Sequence, residues 1–406
     1  MSVAGFVAEV YGRCGDGSWS CGSGFAVGGR LVLTAGHVVV ESGRPMTPVR
    51  VRLLGAADFV AAEVCWSGLG VGVDVALLRV TEADWAAPAR RRPVRWGRLV
   101  GTAPGVPCTA VGFPAVQAAP DGVRDSEQAA GRINPLAMAK TGLHAITVDG
   151  PPHRVVASGS PWKGMSGAAV FCQDLLTAVV VQDPAGFASH RLVAVPIAAF
   201  ADDAGFAEVL QSEIGADVML EPVEVAGLFA EPPEVVSPAS LLRADVAAVR
   251  FRGRVELLEE LADWCQRPEW FLVRLVVGPG GQGKTRLGDE LVQRMRRQGW
   301  VAGRVIDGAP ASAQAALSGL ACDVLLVVDY AETRAGQVQT LVERLRAANV
   351  RSRLVLLARS AGEWVGELTS RSADLAAVDA ATVDDLPPVE TSAAGRVEAW
   401  REAVRT

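Results

Sequence analysis

Ser158-Gly159-Ser160-Pro161-Trp162-Lys163-Gly164-Met165-Ser166-Gly167-Ala168-Ala169-Val170-Phe171 sets a serine among glycines directly before an apolar, strand-like run. Flanking glycines let a backbone turn sharply and aim its N–H groups at a reacting carbonyl. A serine in such a turn becomes a nucleophile only if a histidine and a carboxylate reach it. Both candidates lie upstream. The apolar run Leu31-Val32-Leu33-Thr34-Ala35-Gly36 leads into His37, and Asp74 stands alone in the apolar run 71–78. His37, Asp74 and Ser166 are separated by 37 and then 92 residues. Acyl transfer would use Ser166 Oγ as nucleophile, His37 as proton acceptor and Asp74 to orient the imidazole. The N–H groups of Gly164 and Ser166 would form the oxyanion hole.

The contexts Thr34-Ala35-Gly36-His37-Val38, Asp74-Val75-Ala76-Leu77-Leu78 and Gly164-Met165-Ser166-Gly167, in this order, resemble the chymotrypsin-like serine peptidases. Val111-Gly112-Phe113-Pro114 resembles pieces of the bacterial trypsin-like members. The resemblance implies an all-β double barrel over residues 1–215 that cleaves a protein or peptide substrate. The chain departs from the animal digestive pattern. Met165 stands where an aspartate normally receives the new N-terminal ammonium after zymogen cleavage, so activation by that route is not expected. Ala168 replaces a glycine. Ser160, at the position resembling the floor of the S1 pocket, is neutral, which implies small or apolar P1 residues. Val179–Asp183 would be the edge that pairs with substrate, and the charge of Asp183 leaves a basic preference open.

With 406 residues, half of them hydrophobic, the chain is long enough for two or three globular domains. A net charge of −6 argues against nucleic acid held by general electrostatics. Arg90-Arg91-Arg92 and Arg294, Arg296 and Arg297 read as solvated surface. No signal peptide is visible at Met1-Ser2-Val3-Ala4-Gly5-Phe6, and no apolar run approaches the roughly 18 residues of a membrane span. Seven scattered cysteines lack metal-type pairing. A Cys14–Cys21 bridge is conceivable, but reduced thiols and a cytoplasmic location are the expectation. His144, His153 and His190 read as surface or structural.

Up to about residue 200 the chain reads as short strands broken by Gly and Pro, among them 24–27, 30–34, 49–54, 75–80, 108–112, 145–148, 168–172, 178–181 and 192–196. From Ala201 to about Val249 prolines and acids accumulate, with short helices expected near Asp203–Glu213 and Pro238–Asp245, and residues 216–248 read as a linker. Beyond it, strand, loop and helix alternate, the pattern of an α/β domain over residues 249–386. The strand-like run 271–277 ends in Gly278-Pro279-Gly280-Gly281-Gln282-Gly283-Lys284-Thr285, which satisfies G-x-x-x-x-G-K-[ST]. Such a loop presents N–H groups to phosphate at a helix N-terminus, with Lys284 on the β/γ-phosphates and Thr285 on Mg²⁺. Leu287, Leu291, Val292 and Met295 mark one face of the following helix, which Gly299 would stop. The run 324–328 leads to Asp329, a Mg²⁺ candidate. Glu332 would position a water or be an exposed loop glutamate. Arg359 would read the γ-phosphate or be a solvated arginine.

The phosphate loop, Val327-Val328-Asp329-Tyr330-Ala331-Glu332 and Leu356-Leu357-Ala358-Arg359-Ser360 resemble the STAND signal-transducing NTPases. Phe251-Arg252-Gly253-Arg254 resembles the segment that approaches adenine in AAA-like and STAND proteins. This implies ATP and Mg²⁺ as cofactors and a helical lid beginning at residues 387–406, with the chain a piece of a longer protein whose missing C-terminal region senses a trigger. Joining the halves gives a serine endopeptidase gated by an ATP-binding switch, of the kind used in bacterial conflict and antiviral defence. A nucleotide-dependent oligomer is among the assemblies this implies. Two rivals stand beside it. One is a nucleotide-dependent scaffold or signalling ATPase whose barrel binds peptides without cutting them. The other is a quality-control protease of the HtrA type.

Overall fold

Burial that alternates along successive strands turns the first half of the chain into two closed sheets. The structure is a computed structural model and describes residues 4–85, 94–119, 123–150, 159–215, 218–230, 251, 254–370 and 382–386, with backbone only for 367–370. The expectations placed on Arg90–Arg92, His153, the helix at 238–245, Arg252-Gly253 and the lid at 387–406 lie outside the described residues. Two units separate, Met1–Val223 and Glu224–Thr406.

The first unit begins with β1 (Val7–Arg13), β2 (Trp19–Gly28) and β3 (Leu31–Thr34), a single helical turn α1 (Gly36–Val39), and a small ribbon of β4 (Val40–Glu41) and β5 (Arg44–Pro45). It continues with β6 (Val49–Leu53), β7 (Val60–Ser67) and β8 (Ala76–Val80). Six of these strands close antiparallel in the order β1-β2-β3-β8-β7-β6. Next come β9 (Trp96–Arg98), β10 (Val106–Gly112), β11 (Glu127–Ile133), β12 (His144–Val148), β13 (Ala169–Cys172), β14 (Leu175–Gln182) and β15 (Arg191–Pro196). β13-β10-β11-β12-β15-β14 forms the second barrel, closed by the β13–β14 pairing. This is the double barrel that the sequence resemblance implied. β1, β7, β9 and β11 are not among the strands named from the sequence. In β11 the inward positions are Ala129, Gly131 and Ile133, so two of its three core residues are too small to register as a hydrophobic stripe.

One core runs through both barrels, with Phe25 of β2 set edge-on to Phe171 of β13 at 5.1 Å. Helix α2 (Ala204–Ile214) starts where the Asp203 carboxylate accepts the Phe206 N–H at 3.0 Å and ends at Gly215 in the left-handed region. Asp203 also takes the indole N–H of Trp66. Part of the expected linker is ordered: β16 (Leu220–Pro222) pairs in parallel with β9, and Phe229 bridges to Val305. The physical reason is apolar content, since Pro222, Val223, Val225, Leu228 and Phe229 are buried and burial of that much apolar surface favours order.

The second unit carries α3 (Val255–Cys265), β17 (Phe271–Val277), α4 (Lys284–Arg297), β18 (Val301–Arg304), α5 (Ala311–Ala316), β19 (Val324–Asp329), α6 (Ala335–Ala347), β20 (Ser352–Ala358), α7 (Gly362–Ser370) and β21 (Thr382–Asp385). Its five strands are all parallel, in the order β18-β19-β20-β17-β21. β19 and β20 are buried along their whole length, as strands covered on both faces must be. Leu287, Leu291, Val292 and Met295 form the buried face of α4. Arg353, fully buried on β20, donates to the carbonyls of Cys265, Arg267 and Glu269, which closes the C-terminal end of α3.

Burial on β12 lowers the pKa of His144, so the folded protein favours its neutral form. The unfolded imidazole protonates near its ordinary pKa of about 6.5, so acid shifts protons onto the unfolded chain and stability falls as pH drops below that value. The melting temperature of the His144→Gln protein should therefore fall less steeply than wild type between neutral pH and about pH 5. Thermal melts at stepped pH check this; parallel curves would contradict it.

Candidate active site

His37 reaches the surface because α1 turns immediately after the fully buried strand β3, keeping Val38 and Val39 inside and the imidazole out. Asp74 precedes β8 and grips this turn with both oxygens. Its Oδ1 accepts the His37 backbone N–H at 2.8 Å, and its Oδ2 accepts from Nδ1 at 2.6 Å. With Nδ1 as donor, the imidazole's Nε2 is the nitrogen left to accept a proton.

Ser166 sits in the turn between β12 and β13. Two glycines are required there by close approach. Gly164 has φ +104°, and a Cβ on it would lie 2.1 Å from the Arg124 guanidinium. Gly167 has φ +92°, and a Cβ on it would lie 1.9 Å from the Ser23 carbonyl. The turn is tied to the first barrel by Ser23, fully buried on β2. Ser23 Oγ donates to Gly164 O at 2.7 Å and accepts the Phe113 N–H at 3.0 Å, while Ser23 N–H donates to Ser166 O at 2.7 Å. Thr34 Oγ1 in turn donates to Ser23 O. On its other side the turn is held by Lys163 O, which accepts from Ala115 N–H at 2.7 Å and Arg124 Nη1 at 3.2 Å. Among the described residues, the N–H groups of Gly164 and Ser166 donate to no acceptor.

His37 and Ser166 line one cleft of about 530 Å³ together with Trp19, Ser160, Lys163 and Asp183. The Ser166 hydroxyl donates to Val181 O at 3.4 Å rather than to His37. Thus His37 and Asp74 are bonded directly, and Ser166 shares the cleft of His37 without bonding its imidazole. Ser160 also lines the cleft, its Oγ accepting the Trp162 N–H at 3.0 Å. Burial raises the pKa of Asp183. His144 lies on β12 and His190 is exposed, both outside the cleft lining. All seven cysteines, Cys14 and Cys21 included, are free thiols. Ser23, Thr34 and Arg124 went unnoticed in the sequence. The one signal available was Ser23 between Gly22 and Gly24, polar residues at the head of an apolar run.

In the second unit a pocket of about 290 Å³ opens at the carboxyl ends of β17, β19 and β20, lined by 280–285, Asp329, Tyr330, Glu332 and Arg359. Thr285 Oγ1 donates to Asp329 Oδ2 at 2.7 Å. Lys284 Nζ donates to Gly278 O at 2.5 Å and Pro279 O at 3.0 Å, and burial lowers its pKa. Glu332 Oε1 accepts the Arg359 N–H at 3.3 Å, while its Oε2 is buried without a hydrogen-bond partner. The Arg359 guanidinium lies over the Tyr330 ring, 5.9 Å from its centroid. Arg254 donates to Gln282 O at 2.7 Å, so the arginine that ends the 251–254 segment meets the loop's own backbone.

Ser23→Ala should lower stability by about 1–3 kcal/mol, because it strands the buried Gly164 carbonyl and Phe113 N–H. Ser20→Ala, at the mouth of the cleft, should change stability by no more than about 0.5 kcal/mol. Urea unfolding of the two proteins checks the contrast, and equal midpoints would contradict it.

Residues 22–180 match the family model described as trypsin-like peptidase domain. No curated protein matches the chain. Among solved structures, the Rv3671c protease of M. tuberculosis in its active form is 16% identical, covering 54% of this chain and 84% of that one at TM-score 0.35. The thermostable serine protease AL20 from an extremophilic microorganism is 17% identical, covering 48% and 91% at TM-score 0.34. HL collagenase is 16% identical, covering 53% and 95% at TM-score 0.37. Residues 22–180 are thus similar to the trypsin-like peptidase domain family.

Proposed function

We propose that the first unit is an active serine endopeptidase and that the second is an ATP-binding switch of the STAND class. The observation that carries the first part is that His37, bonded to Asp74, shares a cleft with Ser166 and with two backbone N–H groups that have no acceptor among the described residues. His37 Nε2 removes the Ser166 proton as Oγ attacks the peptide carbonyl, and the same nitrogen returns it to the leaving amine. Asp74 stays ionised, holding the ring and stabilising the imidazolium. Negative charge on the attacked oxygen is met by the Gly164 and Ser166 N–H groups, a contribution of about 3 kcal/mol per donor. Substrate pairs along the end of β14 at Val181–Asp183, and Ser160 leaves the P1 site without a fixed charge at its floor. Nucleophile–base hydrogen bonds commonly tighten only when substrate binds, so the Ser166–Val181 contact is compatible with this chemistry. A fluorophosphonate probe should label the wild type and not Ser166→Ala, and His37→Ala should lower kcat/KM by at least about 10³-fold. Absence of labelling under every nucleotide condition would favour the non-cleaving, peptide-binding scaffold.

For the second unit the donor set fits a nucleotide with its metal. Thr285 at the start of α4 and Asp329 at the end of β19 are side by side, as a hydroxyl ligand and its carboxylate neighbour need to be. The orphaned Glu332 oxygen faces the same group of elements. Mg²⁺–ATP, when bound, supplies a phosphate-borne charge whose loss or exchange biases one conformation over another. Lys284, whose ammonium now donates to two loop carbonyls, would bind phosphate, Thr285 and Asp329 would hold the metal, and Arg359 and Tyr330, which line the same pocket, would help to orient the phosphates. A bacterial conflict role, with peptidase output gated by nucleotide state and an unidentified trigger, follows from this pairing of modules. Titration of a fluorescent ATP analogue with Mg²⁺ should show Lys284→Ala binding at least about tenfold more weakly than wild type. Equal affinity would remove the nucleotide site from this loop.

A further inference from the structure

One peptide group decides whether the site has two oxyanion donors or one. In a trans peptide the carbonyl and the N–H point in opposite directions. Lys163 O is drawn away from the cleft by Ala115 N–H at 2.7 Å and Arg124 Nη1 at 3.2 Å, so the Gly164 N–H on the same peptide faces the cleft that Gly164 lines. Turning this peptide over would place a carbonyl oxygen where the attacked oxygen accumulates charge, replacing attraction by repulsion.

Arg124 comes from the connection between β10 and β11, far from Ser166 in sequence. Its Nη1 also donates to Phe113 O at 3.2 Å, so one guanidinium nitrogen joins the two sides of the turn. It packs directly on the Gly164 α-carbon, as the 2.1 Å approach to a hypothetical Cβ shows. The neighbouring Met165 is apolar and 1% exposed, and offers no charge with which to hold the turn. Among the described residues Arg124 makes no ion pair, and its acceptors are the carbonyls of Phe113 and Lys163. The geometry points to Arg124 as a positioning residue that keeps the Lys163–Gly164 peptide in the orientation that completes the oxyanion hole. The β10–β11 connection therefore sets catalytic competence through that peptide, with no need for a newly cleaved N-terminus. This rests on the serine peptidase reading. Without Arg124, only the neutral Ala115 N–H resists the turnover of the peptide.

The test uses the full chain with Arg124→Ala and Arg124→Lys. Three quantities are compared with wild type: kcat and KM on a fluorogenic peptide, inhibition by a peptide boronic acid, and affinity of the same peptide for the Ser166→Ala background. The boronate's tetrahedral adduct places an oxygen at the two N–H groups, so it reports on the hole itself. Removing an oxyanion donor outright costs about 10²–10³-fold, so Arg124→Ala should lose about 10- to 100-fold in both kcat and boronate affinity, with peptide affinity within about twofold. Added guanidinium should restore part of the loss, and Arg124→Lys should fall between. Unchanged kcat and boronate affinity in a folded Arg124→Ala protein would overturn the inference. So would equal losses in peptide affinity and melting temperature without rescue by guanidinium, which would mark a purely structural arginine. Fluorophosphonate labelling separates this from failure of the underlying reading: a wild type that does not label rejects the peptidase itself, whereas a labelled wild type beside an unaffected Arg124→Ala rejects only the role of Arg124.

Discussion

The bonds of one buried hydroxyl hold the first unit's site together. Ser23, on a strand of the first barrel, binds the backbone on both sides of Ser166 in the second barrel and the start of the loop after β10. A buried backbone carbonyl or N–H without a partner is costly, so these bonds fix where the second barrel's turn can sit. His37 and Asp74 come from the first barrel and Ser166 from the second. The reactive groups can face one cleft only if the barrels are locked in register at this point.

Around that anchor, the same economy recurs in different forms. Asp74 uses both carboxylate oxygens on one residue, so the backbone and ring of His37 are oriented together. Arg124 uses one nitrogen on two carbonyls and thereby orients a peptide that neither carbonyl's own hydrogen bonds would fix alone. In the second unit, loops at the ends of three parallel strands converge on the Thr285–Asp329 pair, the place where open parallel sheets gather ligands. At Ser23, Asp74 and Arg124 a polar or charged side chain acts on backbone groups, and at Thr285–Asp329 two side chains meet each other.

Local patterning made much of this readable. The apolar run into His37, the glycines around Ser166 and the glycine-rich loop before Lys284 are contiguous, and each encodes its own turn. The buried faces of α4 and α6 follow from helical spacing, and the fully apolar runs of β19 and β20 mark strands covered on both sides. Less legible were β11, whose inward residues include Ala129 and Gly131, and residues 220–229, where prolines and acids masked buried Val223, Val225 and Leu228. In both places the deciding quantity is what lies opposite, and composition along the segment does not carry it.

By itself the sequence determined many of the strands and helices, and that a serine, a histidine and an aspartate stand at glycine-rich turns or the ends of apolar runs, because those properties depend on neighbours a few residues apart. Only the tertiary structure decided that Ser23 meets Gly164 across 141 residues and that Arg124 meets Lys163 across 39. It also decided that Ser166 Oγ lies against Val181 O and not on the imidazole. Hydrogen bonds between distant residues leave no periodic trace in the chain. They appear once barrel closure has brought the partners within 3 Å or so of each other.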